Sequence, residues 1–249
     1  MLAGPRRGSS RPVVVETARG TFFTKLRGAA QGTAVLVAEI VVAELADALG
    51  LPVPRRALVS FDDALRSDDR DGELLDLLAQ SRGLNLGFRV LEGVREMRPG
   101  EIRDATEDFA CPVLWLDALV MNRDRTPQNP NIVIAQGRPW LVDHGAALPF
   151  QYDWSAVSED SSRAPYPHER HLFARWRHRL ASWDHRLAGK LTREALRHAL
   201  EQVPDDFLRP LLPADATAPT VERRRHAYEA FLWKRLKAPR AFALGSAAA

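Results

Sequence analysis

The sequence predicts an α+β fold in two lobes. β-Branched and aromatic runs concentrate in the first hundred residues, helical periodicity dominates from Asp104 onward, and a Pro/Gly break at Pro99 and Gly100 stands between them. Residues 1–100 are expected to form a small β-rich lobe and residues 101–249 a larger, mostly helical one. At 249 residues the chain is near the upper size for one hydrophobic core, so one domain of two lobes fits as well as two small domains.

The elements follow in order. "RPVVVET" and "TFFTKL", separated by "ARG", read as an antiparallel hairpin over residues 12–26. A long apolar helix is expected over 33–49, stopped by Gly50 and by Pro52 and Pro54. "RRALVSF" reads as a strand, "GELLDLLAQS" as a helix and "NLGFRVLEG" as extended. From Asp104 a second long helix is expected, with Asp104 and Glu107 spaced as a capping box, Phe109, Val113, Leu116 and Val120 on one face, and a kink at Pro112. Asp117 falls on its solvated side. "NIVI" and "RPWLV" form a hairpin around "AQG". Beyond residue 150, "HLFARWRHRLASW", "LTREALRHAL" and "VERRRHAYEAFLWKRL" are the candidate helices.

Composition excludes several classes. With 45% apolar and 27% charged residues the chain lies far from the low hydrophobicity of disorder, and a net charge of +3 is too small to argue for nucleic acid. Cys111 is the only cysteine, so no internal disulfide forms and a reducing, cytoplasmic compartment is expected. Its neighbours in "DFACPVLWL" mark it as a small buried apolar residue, not a nucleophile. The amino terminus has no signal-peptide stretch, and the most apolar window carries Glu39, Glu44 and Asp47, too many charges for a membrane span.

The chemistry concentrates in "NRDRTPQNPNIVIAQGRPWLVDHGAAL", residues 122–148, where Asp124, Asn129 and Asp143 stand at the ends of apolar strands. A carboxylate near a core needs a partner or a metal. A calcium loop starting at Asp124 fails, with Asn129 where glycine is needed and Ala135 where glutamate is needed. Zinc fails for want of paired Cys or His ligands. Phosphoryl transfer remains: Asp124 as the base that orients an acceptor hydroxyl, Asn129 and then Asp143 as Mg2+ ligands, the hairpin returning Asp143 to the loop. Asn131 competes with Asn129 for the amide role.

These residues resemble the HipA-like kinases and, more distantly, protein kinases and lipid kinases with a "DRHxxN … DFG" pattern; the matching segments here are "DRTPQN" and "DHG". "TFFTKL", "VLVAEIVVAEL" and "GLPVP" stand in the family's order of strand lysine, pairing glutamate and the turn after the glutamate's helix. The resemblance implies a bilobal protein-kinase-like fold and use of ATP and Mg2+. It further implies a Lys25–Glu39 pair holding the α- and β-phosphates, and a phosphate-covering loop at Gly8, Ser9 and Ser10, which with a single glycine could equally be a solvated entry loop. Independently, Lys25 shares a strand face with Thr21 and Phe23, and Glu39 lies beside the stripe of Val35, Val42 and Leu45. Two positions depart from the pattern, Thr126 replacing its histidine and His144 its phenylalanine.

The expected acceptor is a hydroxyl on a protein, and the resemblance implies a partner protein encoded nearby. A catalytically silent nucleotide- or partner-binding module, and a nucleotidyl transferase on the same fold, are the alternatives. Arg and His interleaved with Phe173, Trp176 and Trp183 raise nucleic acid as a partner, but Tyr228, Phe231, Leu232 and Leu236 form a core-facing stripe, which leaves the basic residues as a solvated face and disfavours it.

Overall fold

The first hairpin forms as expected, β1 (Val13–Thr17) against β2 (Gly20–Lys25), with Val13 opposite Thr24 and Thr17 opposite Gly20. The structure, a computed structural model, describes residues 11–29, 31–63, 65–212 and 220–243. Gly8, Ser9 and Ser10 lie outside them. With β3 (Arg56–Phe61) and β4 (Gly83–Arg89) the hairpin makes an antiparallel sheet of order β1-β2-β4-β3. Helix α2 (Gly72–Gln80), capped by the Asp71 carboxylate on the Glu73 N–H, places Leu74 and Leu78 against Val13, Val15, Phe22, Val59 and Phe61 as a small core of its own.

Helix α1 (Thr33–Leu49) belongs to a different and larger core. Nearly every position is apolar and all but its last turn is enclosed, and it packs on α4 (Glu107–Leu119), α6 (Leu180–Lys190), α7 (Arg193–Glu201) and α8 (Asp205–Leu208). It ends where the sequence said it would: Gly50 is left-handed at φ 81°, its N–H donates to the Asp47 carbonyl, and the Leu51 N–H donates to the Ala46 carbonyl. The second sheet, β5 (Arg95–Glu96), β6 (Ile132–Ala135) and β7 (Arg138–Leu141), is also antiparallel, and its Leu141 N–H donates to the Pro52 carbonyl just beyond α1.

Three readings need correction. The second long helix does not start at Asp104: the Pro99–Gly100 break opens a short helix, α3 (Pro99–Asp104), capped by Glu101 on the Arg98 N–H, and α4 starts afresh after Thr106. Asp117 is not solvated but 1% exposed, because α4 is apolar on every side and is enclosed on every side. The basic face of α9 (Val221–Leu236) is not wholly solvated either. Its stripe of Tyr228, Phe231, Leu232 and Leu236 is buried as expected, but so are Arg224 and Arg235.

Arg235 has a structural task. It donates to the Ala118 and Leu119 carbonyls at 2.8 Å each and to those of Ser162 and Ala164 at 3.1 Å, satisfying the carbonyls that the end of α4 leaves unpaired and joining them to the short helix α5 (Glu159–Arg163). Burial lowers its pKa to about 10. Cys111 is buried in α4, and burial pushes its thiol up to about 12, as suits an inert core residue. Among the described residues no helix is long and apolar enough to cross a membrane.

Candidate active site

Lys25 ends β2 opposite Leu86, on the strand face expected for it. Its ammonium reaches two carboxylates, Glu39 Oε1 at 2.5 Å from α1 and Asp143 Oδ1 at 2.6 Å from the segment after β7. Burial disfavours the ammonium, but Glu39 and Asp143 together more than reverse that and the Lys25 pKa is raised. Burial raises Glu39, against the pull of Lys25, while at Asp143 the pull of Lys25 exceeds the effect of burial and its pKa is lowered. Glu39 is wholly buried and its Oε2 has no hydrogen-bond partner among the described residues. Asp143 keeps 49% of its side chain exposed.

The approach of Asp143 to Lys25 depends on local backbone. Asp143 sits at φ 57°, a left-handed conformation that Asp tolerates better than most residues. Gly145, two residues on, passes so close to α1 that a Cβ there would meet Val35 Cγ1 at 2.6 Å. The glycine of "DHG" is thus required by packing against the helix that carries Glu39.

Asp124 lies in the loop between α4 and β6. Its Oδ2 accepts from Asn129 Nδ2 at 2.9 Å and from Asn131 Nδ2 at 3.1 Å, and Asn122 Oδ1 accepts from its backbone N–H at 3.1 Å. Oδ1 of Asp124 and the amide oxygens of both asparagines have no donor among the described residues. Both asparagines therefore fit the amide role. Thr126 closes the turn, its hydroxyl accepting from the Asn129 N–H at 3.1 Å, so the residue that replaces the family's histidine shapes the loop.

A second cluster, missed by the sequence reading, holds this loop from beneath. Asp117 accepts from Arg125 Nε at 2.6 Å and Asn122 Nδ2 at 2.9 Å, and it lies 3.0 Å from His171 Nε2. Burial raises the Asp117 pKa and Arg125 and His171 more than reverse it, so the carboxylate stays ionised. Arg125 also donates to the Asn131 carbonyl at 2.5 Å and lies 3.3 Å from His144 Nδ1. Burial and the Arg125 cation push His144 down to about 3, so the residue that replaces the family's phenylalanine is neutral. The two clusters thereby touch, through Arg125 and His144 and through the Val142 N–H donating to the Asn131 carbonyl at 3.0 Å, whereas Asp124 and Asp143 share no hydrogen-bond partner among the described residues. The signal for Asp117 was in the sequence: one carboxylate inside "CPVLWLDALV", a run with no polar face.

Mg2+ prefers oxygen ligands and keeps several waters, so it needs few protein donors. The exposed half of Asp143 and the uncommitted amide oxygens of Asn129 and Asn131 fit a metal completed by phosphates, and no group of three or more His, Cys, Asp or Glu side chains among the described residues forms a closed cage.

Solved structures share this architecture. A Helicobacter pylori proinflammatory kinase, CtkA, superposes with a TM-score of 0.58 over 97% of this chain and 94% of its own, at 12% identity, a likeness of fold alone. No match was found among curated proteins. The HipA-like kinase family matches residues 3–220, a span that contains the lysine strand, α1, the Asp124 loop and the "DHG" segment. The chain belongs to the HipA-like kinases.

Proposed function

We propose that the protein uses ATP and Mg2+ to transfer a phosphoryl group to a hydroxyl, on a serine or threonine of a protein substrate. The observation that carries this reading is Lys25 bridging Glu39 and Asp143 at 2.5 and 2.6 Å, together with a loop whose Asp124 leaves one carboxylate oxygen without a donor among the described residues. Lys25, fixed by Glu39, places its charge against the α- and β-phosphates. Asp143 and Asn129, or Asn131 in its place, hold the metal, which when bound neutralises charge on the transferred phosphoryl group. Asp124 Oδ1 accepts the acceptor hydroxyl's hydrogen bond, orients its oxygen and takes its proton late in transfer. Gly8, Ser9 and Ser10 are assigned to covering the phosphates from their sequence alone.

Incubation of the purified chain with Mg2+ and ATP labelled at either the γ or the α phosphate tests the reading. Transfer of γ label to itself or to a lysate protein is expected. Transfer of α label identifies a nucleotidyl transferase, and nucleotide binding without transfer identifies a silent module. Asp124→Asn should lower transfer by about 10²- to 10⁴-fold while binding ATP and Mg2+ like the wild type, because the amide keeps the shape but cannot take the proton. Full activity in Asp124→Asn removes Asp124 as the base.

A further inference from the structure

We infer that a cavity lined in part by Arg123, the residue before Asp124, is the acceptor subsite and that it selects an acidic segment of a protein substrate, an inference that rests on the phosphotransferase reading above. The cavity measures about 510 Å³ and is lined by Arg123, Pro165, Tyr166, Pro167, Glu169, Arg170 and His171. Two contacts tie the segment that lines it to the Asp124 loop, and a third ties it to α4. The Tyr166 hydroxyl donates to the Asn122 carbonyl, the Leu172 N–H donates to the Arg125 carbonyl at 2.9 Å, and His171 lies 3.0 Å from Asp117. Arg123, immediately before Asp124, also lines it.

The charge of this cavity is unbalanced. Arg123 and Arg170 are exposed, and neither guanidinium has a hydrogen-bond or ion-pair partner among the described residues. Four arginines of the same lobe are committed, Arg125 to Asp117, Arg163 to Glu159, Arg175 to the Ala105 carbonyl and Arg179 to Glu107, while Arg103, Arg209 and Arg223, outside this lining, also lack a side-chain partner among the described residues. Glu169 is the one carboxylate in the lining and pairs with neither free arginine, so two forks face a concave site with a net positive charge. A guanidinium matches a carboxylate bidentately, and two of them beside an apolar wall of two prolines suit a short extended peptide with acidic side chains next to the acceptor hydroxyl.

RNA fits less well. A nucleic-acid backbone needs a row of cations, and here Glu169 interrupts the pair while the neighbouring arginines are occupied. The Tyr166 ring, 7% exposed, offers no face for a base to stack on.

The test measures fluorescence anisotropy of labelled serine peptides on the full-length chain without nucleotide, one peptide flanked by aspartates and one of equal length flanked by lysines. Wild type is expected to bind the acidic peptide about tenfold more tightly or better, Arg170→Lys to keep that preference and Arg170→Glu to lose it. Both arginines lack described partners, so the variants should melt with the wild type. Equal binding of the two peptides, a preference that survives in Arg123→Ala/Arg170→Glu, or tighter binding of single-stranded RNA of similar length overturns the inference. Charge-selective binding with no label transfer keeps the binding site and overturns the phosphotransferase reading alone. Label transfer with no charge selectivity does the reverse.

Discussion

Lys25, Glu39 and Asp143 form a cluster in which one ammonium meets two carboxylates and half of one carboxylate stays exposed; Asp117, Arg125 and His171 form another in which one carboxylate meets a guanidinium and a neutral imidazole, each with at most 1% of its side chain exposed. The first sets two carboxylates against one ammonium and leaves a carboxylate oxygen beside solvent, so it offers a place for a further cation. The second is balanced and sealed, so nothing is left for a ligand to do there. Two neighbouring ion clusters of similar residue types thus have different tasks: the open one is suited to binding, and the closed one sets the position of the Asp124 loop on α4.

The largest effect should come from breaking the closed cluster. Asp117→Ala leaves Arg125 buried beside His144 with its main counter-ion gone, and loss of one partner of a buried pair costs about 3–5 kcal/mol. Urea or thermal unfolding should show that loss, and Asp117→Asn should lose less, since its amide oxygen still accepts from Arg125 or Asn122. A variant as stable as wild type would mean that Asp117 and Arg125 contribute nothing net.

The open cluster was the more legible of the two in the sequence. The Lys25–Glu39 pair was what the family resemblance implied, with strand alternation and helix periodicity setting only the faces the two residues occupy; the hairpin was expected to return Asp143 to the Asp124 loop, and its contact with Lys25 was not foreseen. Asp117 was misjudged for a definite reason. The stripe of Phe109, Val113, Leu116 and Val120 suggested one buried face, whereas α4 is covered on all sides, and coverage depends on α6, α9 and α1 arriving from distant parts of the chain. The same blindness made Arg235 look like one more solvated base, because the carbonyls it caps belong to another helix. Local pattern finds residues whose neighbours are near in sequence or set by period; it does not find polar groups whose partners are assembled by the fold.

A smaller effect, in pH, sharpens the contrast within the closed cluster. Burial lowers the folded pKa of His171, against the pull of Asp117. In the unfolded chain it titrates near ~6.5, so below that pH the unfolded state binds more protons and stability falls as pH falls, while above it the contribution is complete and level. The melting temperature of wild type should drop more steeply from pH 7 to pH 5 than that of His171→Gln, which keeps a donor to Asp117 but has nothing to titrate. Parallel slopes would show that His171 titrates in the fold as it does in the unfolded chain, and a shallower wild-type slope that the fold holds it protonated.

The smallest effect on stability should come from Asp143, and its smallness is the sharpest test of the comparison. Asp143→Ala removes a half-exposed carboxylate whose charge raises the Glu39 pKa, and it leaves Lys25 still paired with Glu39 at 2.5 Å. The lost Lys25 contact and the relieved repulsion on Glu39 oppose each other, so the net change should stay within about 1 kcal/mol of wild type, in contrast to Asp117→Ala. Calorimetry with ATP should nonetheless show that the gain in affinity on adding Mg2+ is lost, because the exposed half of Asp143 is the oxygen left for the metal. If Asp143→Ala unfolds as readily as Asp117→Ala, the cluster around Lys25 is structural after all. If the variant keeps the full Mg2+ dependence of wild type, the metal is held elsewhere and Asp143 serves only to hold Lys25.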